Sequence, residues 1–520
     1  MSILSYFRNF FYGPPKDTAK RDFYGALQSR LTEDWVGVGG NADSEIRSSL
    51  KMLRGRCRDL WNNNDYVRRY AKLLNNNVLG ANGIGLQMKI REPFKDPETG
   101  QWGERYDTRA NRIIEDMWWG WGRAKNCTLG KQLCWVDVQR IALESVARDG
   151  SILIRKHFLS NHPHKFCIEL IESDQLDTDF NATERNGVVI RLGVEYSAEG
   201  SVTAYHVLRQ HPGELYQPRT GMSGPAWRER VTADKMIHLF MPDRVGQSTG
   251  VPWLITAMTR LNHLNAYEHA EVVAARLGAC KMGFLEAQSN AAGLGYTGPT
   301  DAKGNKYMNA TPGNIEQLPY GYTFKSFDPT HPNAGFKDFV KATLRGISAG
   351  LGVSYTSLAN DLESVNYSSI RAGLLEEREE WKTVQNWFIN WFITPVFESW
   401  LESVSSWSLL TDGQITLPAS KIAKWNNPEW KPRRWGWVDP LADLQAQVLA
   451  VEKGFKSRRE MIAENGGDIE ATFADIKADE DLAEQHGIDF DDESGQQANS
   501  QQTTPDKPDD PKKPLTPAKG

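Results

Sequence analysis

The residues of this 520-residue chain that could do chemistry are scattered, and most of their spacings argue against the reactions their types suggest. GLGYTG, residues 293–298, has the GxGxxG spacing of a dinucleotide-binding turn. Pro299 follows it and no strand leads into it, so a pyrophosphate would find no strand-to-helix turn to sit on. Gly130 and Lys131 precede Gln132, where a Walker A loop needs the Ser or Thr that binds magnesium. The chain is therefore not expected to be a motor itself. His157, His162 and His164 gather around Pro163 in a strand connector, which reads as a surface loop rather than a metal site. His263 and His269 lie six apart on a helix and face different ways. Neither an HExxH nor a GxSxG element is recognised. The carboxylates of LEEREEW, residues 375–381, read as a solvated helix face. No catalytic residue, metal or cofactor is assigned, and the chain is expected not to be an enzyme.

One arrangement is left. Lys337, Lys341 and Arg345 fall at i, i+4 and i+8, beside an apolar stripe of Phe336, Val340, Leu344, Ile347 and Leu351 on one helix. Gly346, Gly350 and Gly352 hinge the next segment, a polar loop carrying Ser354, Tyr355, Asn360, Asp361, Glu363, Ser364 and Asn366. Taken alone, the loop has two readings. It is either a surface connector or, with its cationic row, the lining of a passage for something anionic.

Composition narrows the partners. A formal net charge of −5 does not suit a protein that coats nucleic acid through phosphate neutralisation, so contact with DNA should be local or weak. With 40% hydrophobic and 24% charged residues the chain can bury real cores, and its length suits roughly two to four domains. Its 18 tryptophans point to cores or subunit interfaces. Cys57, Cys127, Cys134, Cys167 and Cys280 are odd in number and form no CxxC, which fits a reduced compartment and neither a disulfide framework nor a zinc site. MSILSYFRNFFYGPPKD is too interrupted for a signal sequence, and no run approaches the roughly 18 apolar residues of a membrane span. A soluble intracellular protein is expected.

The elements that must position the loop follow from periodicity. Two helices are expected across 44–78, stopped by Asn75, Asn76 and Asn77, and another across 133–148, stopped by Gly150 in the left-handed conformation. The segment 105–121 between them carries Met117, Trp118, Trp119 and Trp121. The period then changes: SILIRKHF (151–158), KFCIELIE (165–172) and KMIHLF (235–240) read as strands, and VVIRLGVEYS with SVTAYHVLRQ as a hairpin across Ala198, Glu199 and Gly200. Residues 44–250 thus read as a compact α+β domain.

From Gly250 the pattern is helical to Gly278, with Pro252 in the first turn. Leu254, Met258, Leu261 and Leu264 make its apolar stripe, and Ala266, Ala270, Ala274 and Ala275 a face that a neighbour can approach closely. A glycine-rich segment with strand-like pieces spans 280–330. After the polar loop a helix is expected from Tyr367 to Val404, with Pro395 kinking it or starting a new segment. Its aromatics, Trp381, Trp387, Phe388, Trp391, Phe392, Phe397 and Trp400, exceed a narrow core stripe and should in part meet another subunit or domain. A Trp/Pro-rich connector (425–440), a last helical region and a polar tail from 494, not expected to order itself, complete the chain.

Several blocks, in order, resemble the lambda-type portal proteins of tailed bacteriophages: DLWNNNDYVRRYAKLLNNNVLGANGIGLQ, FCIELIESDQLD, GVPWLITAMTRLNHLNAYEHAE, PGNIEQLPYGYTFKSFDPTHP, LRGISAGLGVSYTSLANDLESVNYSSIRAGLLEE, and WVDP with VEKGFKSRREMIAENGGD. The likeness covers most of 44–485, and its most specific block contains the polar loop. The resemblance implies an α+β, predominantly α portal fold of wing, stem, clip and crown that assembles as a ring of about twelve copies. Double-stranded DNA would be driven in through the ring at one capsid vertex and later ejected. It implies an N-terminal arm (1–43), a wing (44–250), a first stem helix (251–279), a clip (280–330) and a second stem helix (331–351). A channel loop (352–366), a long helix returning to the wing (367–440), a crown (441–490) and a tail (491–520) would follow. Implied partners are further copies of the chain, the terminase large subunit, major capsid and scaffold proteins and a head–tail connector, in the virion and, during assembly, the host cytoplasm. No membrane is implied. In that reading Lys337, Lys341 and Arg345 face the channel. The alternatives are another ring-forming head–tail connector or minor capsid protein, and a nucleic-acid-processing enzyme with an unfamiliar site.

Overall fold

Two asparagine side chains start the first two helices. Asn41 Oδ1 accepts the Ser44 amide at 2.7 Å and opens α1 (Ala42–Asn63); Asn64 closes α1, and its Oδ1 accepts the Val67 amide at 3.1 Å to open α2 (Asp65–Leu74). The expected stop is present as one π-helical turn, Asn75–Leu79, ended by Gly80 at φ 72°. The computed structural model describes residues 37, 39–95, 100–184, 187–214, 227–279, 283–287, 302, 322–326, 335–363, 366–435 and 440–464, and isolated helical positions between 469 and 484. GLGYTG, Ser364, most of 280–330, most of the arm and the tail therefore lie outside the described residues. The chain divides into two units, Met1–Arg433 and Arg434–Gly520.

In the first unit, β1 (Gly85–Met88) precedes a hairpin of β2 (Arg91–Lys95) and β3 (Trp102–Tyr106), followed by α3 (Thr108–Trp121) and α4 (Trp135–Asp149). Gly150, at φ 88°, ends α4 as expected. β4 (Ile152–Phe158), β5 (Phe166–Glu172), β6 (Ala182–Thr183), β7 (Val189–Arg191), β8 (Val194–Tyr196), β9 (Val202–Leu208), β10 (Arg228–Thr232) and β11 (Met236–Leu239) form two antiparallel sheets, ordered β11-β4-β5 and β10-β9-β8-β7-β6. Side chains alternate across the smaller sheet. Leu153 and Ile171 join Leu176, Val194, Tyr205, Val207, Val231 and Met236 in one buried cluster, while Phe166 meets the Trp121 ring at 5.8 Å.

VVIRLGVEYS is not one strand of a hairpin but two, β7 and β8, because Leu192 (φ 49°) and Gly193 (φ 79°) turn the chain between them. A Cβ on Gly193 would lie 2.7 Å from the Asp177 carbonyl oxygen, so the turn needs glycine. The hairpin across 198–200 is present between β8 and β9.

α5 (Met258–Ala279) begins seven residues later than the 251 boundary expected for this helix. Pro252 is not in its first turn: the Trp253 amide donates to Ala147 O at 3.0 Å, tying this stretch to the end of α4, and 253–257 form turns. The stripe of Leu254, Met258, Leu261 and Leu264 is buried, whereas Ala266, Ala270 and Ala275 are exposed within the chain. β12 (Gly283–Ala287) and β13 (Tyr322–Ser326) pair antiparallel between α5 and α6 (Phe336–Leu351). Leu344, Ile347 and Leu351 of α6 are buried. Gly346 and Gly350 do not hinge the chain; they lie inside α6, where Arg260 covers Gly346 and Thr256 Oγ1 donates to Gly350 O at 2.8 Å.

α7 (Tyr355–Ala359) precedes α8 (Tyr367–Phe388), which runs through a π-helical turn (Ile389–Ile393) into α9 (Thr394–Ser406). Pro395 has no N–H to donate one turn back, and the wider turn sits directly ahead of it. The aromatics of this long helix are core rather than surplus surface. Trp381, Trp387, Phe388, Phe392, Phe397 and Trp400 are all buried, and Trp391 alone of the seven is exposed, at 64%. The Trp118 ring centres their packing, with centroids of Trp121, Trp135, Phe397 and Trp400 at 4.6, 5.4, 5.4 and 5.1 Å. The expected connector contains β14 (Pro428–Lys431), which pairs antiparallel with β1. In the second unit, α10 (Pro440–Glu452) and α11 (Arg458–Glu464) match the expected last helical region. The architecture is α+β with helices predominating. Among the described residues no helix is long and apolar enough to cross a membrane.

Candidate functional site

The polar loop begins where α6 stops. Gly352 takes the left-handed conformation at φ 67°, its amide donates to Ala349 O, and the Val353 amide reaches Ser348 O at 3.1 Å, so the α6 carbonyls are satisfied and Val353 is buried. Ser354 then caps α7: its Oγ accepts the Ser357 amide at 3.2 Å. Asn360 ends α7 in the left-handed conformation, φ 54°, which asparagine tolerates better than most residues.

A buried carboxylate holds this turn. Glu377 of α8, 7% exposed, accepts Ser354 Oγ at 2.7 Å, Ser357 Oγ at 2.8 Å, the Ser354 amide at 3.4 Å and Trp381 Nε1 at 3.3 Å. Arg69 Nε from α2 donates to Ser357 O at 3.0 Å. The start of the loop is thus pinned by α8 and α2 together.

The far end is held by charge. Lys341 Nζ lies 3.1 Å from both Asp361 Oδ2 and Glu363 Oε2, and Lys337 Nζ lies 2.7 Å from Glu363 Oε2. Tyr355 Oη donates to Asp361 Oδ2 at 2.7 Å, and the Arg345 guanidinium sits 5.6 Å from the Tyr355 ring centre. The Glu363 amide, the Tyr355 hydroxyl and Lys341 hold the Asp361 carboxyl down at about 2. Lys337, with Lys341, lowers Glu363, and the Asp361 and Glu363 carboxylates raise Lys341. Lys337 and Glu363 are about 60% exposed, so salt screens them readily, whereas the side chains of Lys341 and Asp361 are 20% and 22% exposed.

The fold thus brings together most of the residues singled out in the sequence. Lys337, Lys341 and Arg345 share one flank of α6, where Tyr355, Asp361 and Glu363 meet them; Ser354 turns to Glu377 of α8, and Asn360 is exposed. Asn366 is exposed at the start of α8, and Ser364 lies outside the described residues. The two lysines are engaged by the loop's own carboxylates. Glu377 was missed because LEEREEW reads as a solvated face, yet it lies four residues before buried Trp381, and that spacing places it on the packed face. Sequence inspection also overlooked that GISAG, Gly346–Gly350, has the GxSxG spacing. Ser348 is no nucleophile elbow: it lies mid-helix, 2% exposed, with Oγ donating to Leu344 O at 2.8 Å.

The remaining candidates resolve into structure. His162 and His164 are buried rather than on a surface loop; burial lowers both, His164 to about 4, and His157 pairs with Glu169 at 2.8 Å. Glu172, Asp174 and His211 gather beside a cleft of about 580 Å³, with His211 Nε2 at 3.1 and 3.5 Å from the two carboxylates. The Gly213 amide donates to His211 Nδ1 at 3.0 Å, which leaves the proton of a neutral ring on Nε2, facing the carboxylates. Arg58 and Arg54 already occupy Asp174, at 2.5 and 3.3 Å. A proton and two guanidiniums stand where a metal would need free acceptors.

Comparison with known proteins places this helix, loop, helix order in a family. The model of phage portal proteins, lambda family, matches residues 28–385. The probable portal protein of Halomonas phage phiHAP-1 is 33% identical over 473 residues, 89% of this chain and 86% of that protein. Portal protein B of Escherichia phage lambda is 21% identical over 494 residues, 87% and 86% of the two chains. A solved chain titled as the neck of an empty GTA particle matches with a TM-score of 0.41 and 15% identity, covering 81% of this chain and 94% of that one. A block running through α1, the sheets, the α5–α6 pair, the loop and α8, together with a relative one-third identical over nearly its whole length, makes the chain a member of the lambda family of phage portal proteins, structural proteins rather than enzymes.

Proposed function

We propose that this portal protein forms a ring of about twelve copies at a unique capsid vertex, closed by a head-to-tail interface, through which double-stranded DNA is packaged and ejected. Residues 352–366 face the bore as the channel loop, with Lys337, Lys341 and Arg345 on its wall. Residues 44–250 form the wing, 280–330 the clip and 441–490 the crown. The clip receives the terminase large subunit during filling and a head–tail connector afterwards, and major capsid and scaffold proteins surround the wing. Assembly takes place in the host cytoplasm, and ATP hydrolysis belongs to the terminase.

The observation that carries this reading is the loop itself: a polar turn, pinned by buried Glu377, in the same segment as the most specific sequence block. A channel must pass DNA without holding it, since every phosphate neutralised by a fixed cation adds affinity and a ring multiplies it. A loop whose carboxylates already occupy the neighbouring lysines meets that requirement. Deleting residues 355–365 should leave shells assembled but impair DNA filling or retention, scored by the ratio of full to empty particles. A normal ratio of stably filled particles would contradict the channel role.

A further inference from the structure

The charges around the loop have an unequal grip at its two ends. At the start, Ser354 and Ser357 donate to a carboxylate that is almost fully buried, Leu358 closes α7 into the core at 2% exposure, and Arg69 holds the Ser357 carbonyl. At the far end, Glu363 meets Lys337 in the open and also reaches Lys341, whose side chain is 20% exposed, and its amide donates to Asp361 Oδ1 at 3.0 Å. Buried acceptors are costly to strip of their donors, whereas exposed ion pairs are screened and exchange partners freely. A phosphodiester presents to a lysine ammonium the same charge and the same kind of oxygen acceptor as a carboxylate.

We propose that the loop is a two-ended clasp: Glu377 fixes residues 354–358 permanently, while Asp361 and Glu363 hold Lys337 and Lys341 only until phosphates of passing duplex DNA take their place. At rest the two lysines of the cationic row are neutralised from within the chain, so an empty ring does not present bare lysines. With DNA against it, the lysines change partners and residues 360–363 swing free on the pinned stem of the loop, giving each copy a segment that responds to DNA without dissociating from its base. The proposal rests on the channel reading but can fail separately from it.

Hydrogen exchange on the full-length assembled protein tests the hinge. Raising salt from about 0.05 M to about 0.5 M, which shortens the screening length roughly threefold, should speed exchange at 360–363 while leaving 354–358 protected; so should a short synthetic duplex of random sequence at low salt. Exchange that rises equally across 354–363, or not at all, overturns the clasp. The double variant Asp361→Asn with Glu363→Gln should bind that duplex more tightly and with a steeper salt dependence, because in the wild type the released carboxylates take up cations and offset part of the counterion release from DNA. Unchanged protection at 354–358 in the same variant establishes that the loop still folds, and a wild-type slope would then overturn the proposal. If the channel reading is wrong instead, deletion of 355–365 leaves filling normal while salt still loosens 360–363.

Discussion

Glu377 is the side chain on which the loop depends most. Replacing it by alanine leaves the Ser354 and Ser357 hydroxyls and Trp381 Nε1 without their buried acceptor, which should cost about 1–3 kcal/mol in urea unfolding and expose 354–358 to exchange. Lys337→Gln, by contrast, should leave the urea midpoint unchanged, because its pair is exposed and screened. The two residues differ in how legible they are. A cationic row at helical spacing shows in the sequence, but whether a glutamate in LEEREEW faces water depends on which side of α8 is packed, and that is decided by α2 and the loop, far away in the chain. The pairing of Lys341 with Asp361 was equally hidden, because it needs the loop to turn back at Asn360.

Acid should act on the same scale. Burial depresses His238 to about 3 and His164 to about 4, from an ordinary value near 6.5. Below about pH 6.5 the unfolded chain gains protons that the folded chain refuses, so stability falls with pH by about 1.4 kcal/mol per unit for each such histidine. Urea midpoints between pH 7 and 5 should show this slope, and His238→Phe, which keeps an aromatic against Tyr205 and Phe240, should flatten it. Asp361 behaves in the same direction but later: its carboxylate strengthens the clasp above about pH 4, and that contribution disappears as pH falls towards 2.

At the level of elements, helix stops were readable and long-range ties were not. Gly150 ended α4 where a left-handed glycine was expected, yet nothing local announces that Gly150 and Gly250 touch. A Cβ on Gly250 would lie 2.0 Å from Gly150 O, a backbone atom that cannot step aside, so Gly250→Ala should destabilise by at least about 1–3 kcal/mol in thermal or urea unfolding. Gly346→Ala is the contrasting case: the atom it meets is the mobile end of Arg260, and alanine favours the helix by about 1 kcal/mol, so stability should hold or rise slightly. The same distinction explains Pro252. Its placement in a first turn follows ordinary helix rules, but the Trp253 amide is claimed by Ala147 O, and α5 starts only at Met258.

For the whole molecule, the order of blocks carried more than any single motif, because a family signature records the fold that tryptophan counts and charge totals leave open. Composition cannot say whether surplus aromatics meet another subunit or another part of the same chain; here the chain buries nearly all of that helix's rings itself, against Trp118 and Trp135 of the 44–250 region. Among the exposed apolar positions, Val272 (67%), Val273 (40%) and Phe339 (52%) lie on the helix pair. The ring proposed above would set these between neighbouring copies, and Val272→Asp should then shift sedimentation from rings to smaller species while the far-ultraviolet spectrum stays unchanged. The most direct measurement is an electron-microscopic reconstruction of the assembled protein at side-chain resolution. The account requires a closed ring in which Val353 to Asn366 of every copy line a central opening wide enough for a duplex; the same residues found on the outer perimeter, or a particle with no opening, would contradict it.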